Sequence, residues 1–478
     1  IAHLFDKELK NTSDLKIVTL NVLKQLQGAF AFVVLLLDYP DTLIAARQAS
    51  PLAVGKGNNG CAVGSDAIAL AGVANELMFL EDGDFAIINR KKITIYNNLG
   101  LEINRQVIPN IIEASSVGKG NYRHFMQKEI FEQPETIAHS ISGMYSSSGK
   151  PSKELIELIS TSPKSITILA AGTSHYAGMV GKYWIESLAN IPVNVETAAE
   201  YRYRSPYQDP KSLALVISQS GESLDTLMAM RHAAEAGMKT VSIVNNIGST
   251  IDRESKYSLY TRAGAEIAVA STKAFTAQLS ILLCLAIALA EKKELNKKEV
   301  LNLKEGLFKI PGSIARALKI ESDIQEAVQD IIKSQSCLYL GRGSLFPMAL
   351  EGALKLKEVS YIHAEGFSAG EMKHGPIALI DDGLPVIALI GKDHHSVKTI
   401  SNLREALARG AKIIIFADEG VENDMSFAHK VIRLPFLNSF ISPIISSIPI
   451  QLLAYYTAVS KGTDVDQPKN LAKSVTVE

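Results

Sequence analysis

Cysteine is scarce in this chain: Cys61, Cys284 and Cys337 are the only three in 478 residues. They form neither a metal-ligand spacing nor a paired disulfide framework. Cys284 and Cys337 sit inside apolar runs, where a buried structural thiol is expected. So few thiols fit a reducing compartment, and a cytoplasmic location is expected. Neither sign of charge is in excess. The 49 basic and 50 acidic residues leave a formal charge of −1. That excludes a global attraction to nucleic acid or to an anionic membrane, and leaves only local basic groups to meet phosphates. The most apolar stretch, Ile281–Ala290, is too short to span a bilayer, and no signal peptide precedes it. No membrane or nucleic-acid partner is therefore expected. What remains is an ordinary globular balance, 47% apolar and 21% charged, with enough length for roughly two to four domains.

The most informative positive feature is a duplication at an offset of about 170 residues. The first copy opens on the apolar run Ile166–Ala171 and turns at Gly172-Thr173-Ser174. The second opens on Cys337–Leu340 and turns at Gly341-Arg342-Gly343-Ser344. The register persists: Leu213–Ser218 matches Pro385–Ile390, Thr240–Val244 matches Lys412–Phe416, and the apolar helix from Ser271 matches the one from Ile441. Each copy reads as alternating strands and helices, an α/β layer whose strand-leaving loops suit small anions.

The chain divides accordingly. Residues 1–120 are strand-rich, with Ala29–Leu37 fit for a strand covered on both faces and shorter strands at Thr42–Ala46, Gly60–Gly64, Phe85–Asn89 and Lys92–Tyr96. Turn residues around Ser115–Gly120 predict a linker over 121–150. The repeats occupy 151–300 and 325–461, and a polar tail covers 462–478. The chain opens on Ile1 in mid-pattern, which implies residues upstream.

Three motifs carry chemistry. Ser218-Gln219-Ser220-Gly221-Glu222-Ser223 follows a buried strand and opens a helix over Ser223–Ala236. Hydroxyls, an amide and a glycine at a helix N-terminus suit a phosphate, although a plain serine-rich cap has the same composition. The turn at Thr173 and Ser174 adds hydroxyls from another repeat strand, whereas the matching turns of the second repeat, Gly341–Ser344 and Gly391–Asp393, lack that density of hydroxyls. The second motif is the helix Phe346–Val359, on which Glu351, Lys355 and Glu358 share about a 60° arc. That arc is either a solvated ion-pair face or a proton-transfer site beside a carbonyl. Two histidines follow it, His363 and His374. The third is the tail Asp464–Glu478. A lysine there is ordinarily solvated, but one shielded against a ketose could form a Schiff base.

These pieces, with Ala270–Thr276, Glu351–Glu358, Lys373-His374-Gly375-Pro376 and the whole tail, closely resemble the glutamine–fructose-6-phosphate aminotransferase (isomerizing) family. The resemblance runs unbroken from Ile1 to Glu478. It implies an α/β protein of two tandem SIS (sugar isomerase) domains, with flavodoxin-like parallel sheets and flanking helices. Ahead of them it implies the C-terminal part of a glutaminase domain, an α+β sandwich of the N-terminal-nucleophile hydrolase fold. It also implies synthesis of glucosamine 6-phosphate from fructose 6-phosphate and glutamine, with glucose 6-phosphate as a further ligand, by a homodimer.

Carried over by that resemblance, Thr173, Ser218, Gln219, Ser220 and Ser223 hold the sugar phosphate, and Ser174 and Ser271 lie near the sugar. Lys473 forms the Schiff base and Glu358 moves a proton between C1 and C2. His374 serves ring opening and comes from the partner subunit. Lys355 and Glu351 support the sugar hydroxyls and the proton relay, and the backbone at Val269 and Ala472 contacts the ligand. No metal or organic cofactor is expected.

This chain departs from the family in three places. Ser223 stands where threonine is usual, and Lys469 where arginine is usual, which loses a planar fork but keeps the charge. The glutaminase nucleophile, a terminal cysteine using its own α-amine, is absent, and internal Cys61 cannot replace it. Only the isomerase half is therefore expected to be competent, with glutamine a substrate only of the intact protein. Two other readings stay open: a simple sugar-phosphate isomerase and a non-catalytic sugar-phosphate sensor.

Overall fold

The computed structural model describes residues 1–110 and 118–475. Part of the turn-rich segment around Ser115 and the last three residues of the tail lie outside them.

The front region builds two antiparallel sheets. Its strands are β1 (Phe30–Leu35), β2 (Thr42–Gln48), β3 (Ala53–Gly57), β4 (Gly60–Gly64), β5 (Glu76–Phe79), β6 (Phe85–Asn89), β7 (Ile93–Tyr96), β8 (Glu102–Ile103) and β9 (Ile108–Pro109). They pair in the orders β1-β2-β6-β7-β8 and β4-β3-β5-β9. Ala45, Ala86 and Ile95 of one sheet pack with Val54 and Leu80 from the other, so the sheets form a sandwich. Helices Ala2–Leu9 and Leu15–Leu23 cover part of the first sheet through Phe5, Val18 and Val22.

Two expectations need correction here. The apolar run Ala29–Leu37 is not covered on both faces. β1 is an edge strand whose side chains alternate, leaving Val33, Leu35 and Leu37 exposed. Nor is 121–150 a loose linker. It holds helices Phe125–Phe131 and Gln133–Met144, whose Met126, Ile130, Ile137 and Ile141 lie in the main core. Turn residues at 118–124 mark only the start of that segment.

The two repeats fold alike. In the first, β10 (Ile166–Ala170), β11 (Val193–Thr197), β12 (Leu213–Ser218), β13 (Lys239–Val244) and β14 (Tyr257–Tyr260) form a parallel sheet in the order β11-β10-β12-β13-β14. In the second, β15 (Ser336–Gly341), β16 (His363–Ser368), β17 (Pro385–Ile390), β18 (Lys412–Asp418) and β19 (Lys430–Leu434) repeat it in the order β16-β15-β17-β18-β19. This 2-1-3-4-5 order is the flavodoxin-like one. Its crevice opens where the order reverses, between the first and third strands. Strands β12 and β17 are buried along their whole length, as parallel strands covered by helices must be.

The helices Lys273–Lys292 and Ser442–Lys461 close the repeats and join one continuous core, with Phe275 and Leu282 from one and Ile448 and Leu452 from the other. Helix Lys273–Lys292 is long and apolar enough to cross a membrane by length and composition. It is nonetheless a core helix, with 94% of its apolar window buried inside the protein. Cys284 and Cys337 lie fully buried in the same core.

Candidate active site

Strand β12 stops at Ser218, and helix Leu224–Glu235 begins six residues later. The loop between them folds on itself. Ser218 Oγ accepts the Gly221 N–H at 3.0 Å and lies 3.5 Å from Ser223 Oγ. Ser220 Oγ accepts the Glu222 N–H at 3.1 Å. Ser223 occupies the N-cap position, yet its hydroxyl makes no capping bond, which leaves it available to a ligand. Gly221 has φ +69°, and a Cβ there would sit 2.0 Å from Ser249 Oγ; only glycine fits.

Glu222 anchors the loop. Its carboxylate accepts the N–H and the hydroxyl of Thr250, each at 2.8 Å. Burial pushes its pKa up, and the Thr250 bonds oppose that. Gln219 is half-buried, and its carbonyl accepts the Asn245 N–H at 3.1 Å.

Thr173 and Ser174, expected in a turn, lie in the first turn of helix Gly172–Ala189, which follows β10, the parallel neighbour of β12 in register Ala170 to Ile217. This helix N-terminus and the serine loop therefore leave the same sheet edge on the two sides of the order reversal. Ser174 Oγ accepts from Gln278 Nε2 at 3.0 Å. Thr173 Oγ1 donates to Glu351 Oε1 at 3.3 Å, which joins the first repeat to the second.

On helix Phe346–Ser360 the predicted polar arc turns inward. Lys355 Nζ lies 3.6 Å from Glu351 Oε1 and 2.6 Å from Glu358 Oε2. The Glu351 and Lys355 side chains are 0% and 1% exposed and that of Glu358 is 22% exposed, so this is no solvated face. Burial raises the Glu351 pKa to about 8 despite Lys355 nearby. Burial alone would pull the Lys355 ammonium down, but Glu351 and Glu358 outweigh it and hold its pKa above the ordinary lysine value. Two carboxyl groups that share one buried ammonium, one of them with its pKa raised by burial, form a set able to hold and move a proton.

The tail closes over these elements in a fixed path. Thr463 Oγ1 donates to the Val359 carbonyl at 2.6 Å, and Val465 is buried. The Asp466 carboxylate accepts the N–H groups of Phe125 and Met126 at 3.0 and 2.9 Å, and its carbonyl accepts the Val269 N–H at 3.0 Å. The Lys469 N–H donates to Tyr361 Oη at 2.8 Å, and its ammonium lies 4.4 Å from the centre of that ring. Ser474 Oγ then comes within 3.1 Å of Ser220 Oγ, and the Val475 carbonyl accepts the Leu224 N–H at 3.1 Å. Lys473 is not a solvated terminal lysine. Its Nζ lies 2.6 Å from Glu266 Oε2, and its side chain is 26% exposed.

One predicted residue stands apart. His374 is exposed at the end of the short turn Glu371–His374, and no hydrogen bond or ion pair among the described residues joins it to the cluster. Ala472 is exposed on the tail. Ser271 is brought in through Glu266, to which its hydroxyl donates at 3.1 Å. In the second repeat, carboxylates stand at Asp393 in the turn after β17 and at Asp418 at the end of β18. Asp418 accepts from the Lys392 N–H at 3.0 Å and Ser442 Oγ at 2.5 Å, and Asp393 accepts the His395 N–H at 2.7 Å.

Sequence reasoning missed Glu266, Glu129, Glu222 and Gln278. A signal for the first was present: Glu266 is the lone charge in Ala263–Ala270, a run of small and apolar residues. An acid in such a setting is buried only with partners.

Comparison with known proteins agrees with this architecture. The SIS domain family matches residues 159–288 and 330–461. The glutamine–fructose-6-phosphate aminotransferase [isomerizing] of Zymomonas mobilis is 46% identical over 100% of this chain and 79% of that protein. The protein of the same name from Brucella abortus is 47% identical, with the same coverage. Among solved structures, the C-terminal domain of glucosamine-fructose-6-phosphate aminotransferase from Francisella tularensis superposes with a TM-score of 0.70 at 42% identity. It covers 73% of this chain and 99% of that one.

Proposed function

We propose that this chain, which belongs to the glutamine–fructose-6-phosphate aminotransferase family, turns fructose 6-phosphate into glucosamine 6-phosphate through a Schiff base on Lys473. The observation that carries the proposal is the path of the tail, which sets Ser474 against Ser220 and aims the preceding lysine at a buried carboxylate. An amine beside a phosphate-type loop is what a ketose-phosphate Schiff base requires.

The residues divide the work as follows. Thr173, Ser218, Gln219, Ser220 and Ser223 grip the phosphate, and Ser174 and Ser271 orient the sugar. Fixing the phosphate turns attack on the carbonyl into an intramolecular event. Lys473 adds to C2 of the open-chain ketose and water leaves, giving an iminium that acidifies the neighbouring C1–H. Ammonia displaces the lysine. Glu358 removes the C1 proton and delivers it to C2 through an enolamine, which yields the aldose. Lys355 donates to Glu358 and holds its carboxyl in place, and Glu351 binds a sugar hydroxyl. The backbone of Val269 and Ala472 lines the ligand. His374 of the partner subunit opens the sugar ring, which makes the working unit a homodimer and accounts for an exposed histidine away from this chain's own cluster. The division into a front glutaminase part, two SIS domains over 151–300 and 325–461, and an active-site tail from 462 belongs to the same reading.

Release of ammonia from glutamine is not assigned to any cysteine described here. Cys61 has no free α-amine, and burial, partly opposed by Lys56, raises its thiol pKa, the wrong direction for a nucleophile.

Treating the chain with fructose 6-phosphate and borohydride should add one reduced sugar phosphate to the tail peptide holding Lys473. Saturable sugar-phosphate binding with no adduct would replace this reading with that of a non-catalytic sugar-phosphate binder.

A further inference from the structure

Among the described residues, Glu266 is the one buried carboxylate in contact with the tail amine, and its two oxygens do different things. Oε1 accepts the backbone N–H groups of Thr272 and Ala274 at 2.9 and 3.0 Å, and so holds the loop before helix Lys273–Lys292. Oε2 faces the other way, with Lys473 Nζ at 2.6 Å and Ser271 Oγ at 3.1 Å. A carboxylate needed only for the loop would be complete with Oε1. We propose that Glu266 is a catalytic residue of the Schiff-base step: Oε2 takes the proton that the Lys473 ammonium must lose and returns it to the hydroxyl that departs from C2.

The step balances. Proton transfer turns ammonium and carboxylate into amine and carboxylic acid. The amine nitrogen pair forms the N–C2 bond as the carbonyl π pair moves to oxygen. A proton passes from nitrogen to that oxygen to give the carbinolamine. The C2–O bond then breaks, the carboxylic acid supplies the second proton, and water leaves. The iminium stays beside a carboxylate, so one positive and one negative charge face each other at the start and at the end.

The surroundings favour this use. Burial would push the Glu266 carboxyl up, but Lys473 outweighs it and holds its pKa below the ordinary carboxylate value, so the ion pair is the resting state; the neutral amine–acid pair still lies closer in energy to it here than in water, because desolvation penalises both charges. Three titratable groups face Glu266 from the packed elements. Lys473 comes from the tail, Lys355 from helix Phe346–Ser360, and Glu129 from helix Phe125–Phe131. Glu129 is itself buried and accepts the N–H groups of Ile267 and Ala268 at 2.5 and 3.1 Å. Burial, then Glu266, raises its pKa, and among the described residues only Glu266 is paired with the Lys473 ammonium.

The inference rests on the Schiff-base reading of Lys473, and one experiment separates them. Borohydride trapping with fructose 6-phosphate is followed over time in the full chain and in E266Q. The expected result is adduct formation about 100-fold slower in E266Q, with half-saturation by fructose 6-phosphate within about twofold of the parent. The E266Q rate should climb about tenfold per pH unit from 7 to 9, as hydroxide replaces the lost acceptor, while the parent changes little. A merely structural role would leave the two pH profiles parallel. If E266Q does not fold, Glu266→Asp, which withdraws the acceptor but keeps the charge, should show the same steeper profile. No Lys473 adduct in the parent overturns the Schiff-base reading itself. Adducts at equal rates with parallel profiles overturn the role of Glu266 alone.

Discussion

Gly221→Ala is the sharpest probe of the serine loop. The residue sits at φ +69°, and the new Cβ would lie 2.0 Å from Ser249 Oγ and 2.5 Å from Ser249 Cβ. A residue with a Cβ pays about 1–2 kcal/mol in the left-handed region. Ser249 is only 2% exposed, so its displacement resembles overpacking and costs about 1–3 kcal/mol. The two effects together amount to about 2–5 kcal/mol. The displaced backbone also carries function: the Gly221 carbonyl accepts the Ile251 N–H at 3.0 Å, and its N–H reaches Ser218. Losing one charge-assisted bond to a phosphate weakens binding by about 1.5–3 kcal/mol, or about 10- to 100-fold in Kd. Urea denaturation gives the first quantity, from the transition that reports the first repeat, and calorimetric titration with fructose 6-phosphate gives the second. An alanine variant with the parent's midpoint and the parent's Kd would refute the reasoning. One that is destabilised but binds normally would show that the loop is structural and the phosphate is held elsewhere.

Two carboxylates outside the serine loop give further tests. Burial raises the Asp418 pKa from 3.8 to about 6, so between those values the folded chain binds more protons than the unfolded one, and stability falls as pH rises through that window. Asp418→Asn should therefore gain on the parent by up to about 3 kcal/mol between pH 4 and pH 7; a pH-independent difference in urea midpoints would contradict this. The Asp466 carboxylate caps helix Phe125–Phe131 from the far end of the chain. Asp466→Ala should cost about 1–2 kcal/mol and speed proteolytic cleavage of the tail after Lys469 and Lys473, whereas unchanged digestion would mean that the tail is held by its other contacts.

Much of this architecture was legible in the residues because the information is local. Apolar runs such as Leu213–Ile217, the Gly/Ser turns that end them and the register between the copies follow from periodicity over a few residues. The placement of Glu351, Lys355 and Glu358 on one helix face follows from helical geometry alone. The short strands β3, β5, β8 and β9 were not legible, because each of these 2- to 5-residue segments is a strand only through pairing with a distant one. The helices inside 121–150 went unread because their opening turn residues masked a buried stripe that needs the repeats as its partner.

The site divides the same way. Residue order determined that two like α/β layers exist, that one is denser in hydroxyls at its turns than the other, and that a lysine follows in the tail. Only the tertiary structure decided which way the polar helix face points. Thr173 reaches Glu351 from 178 positions away, and that contact turns an apparent surface ion pair into a buried one. It also decided the partner of Lys473. Glu266 is 207 positions distant, and nothing in either local sequence specifies the other. Burial and charge pairing depend on what packs across the crevice, and packing is a property of the folded chain.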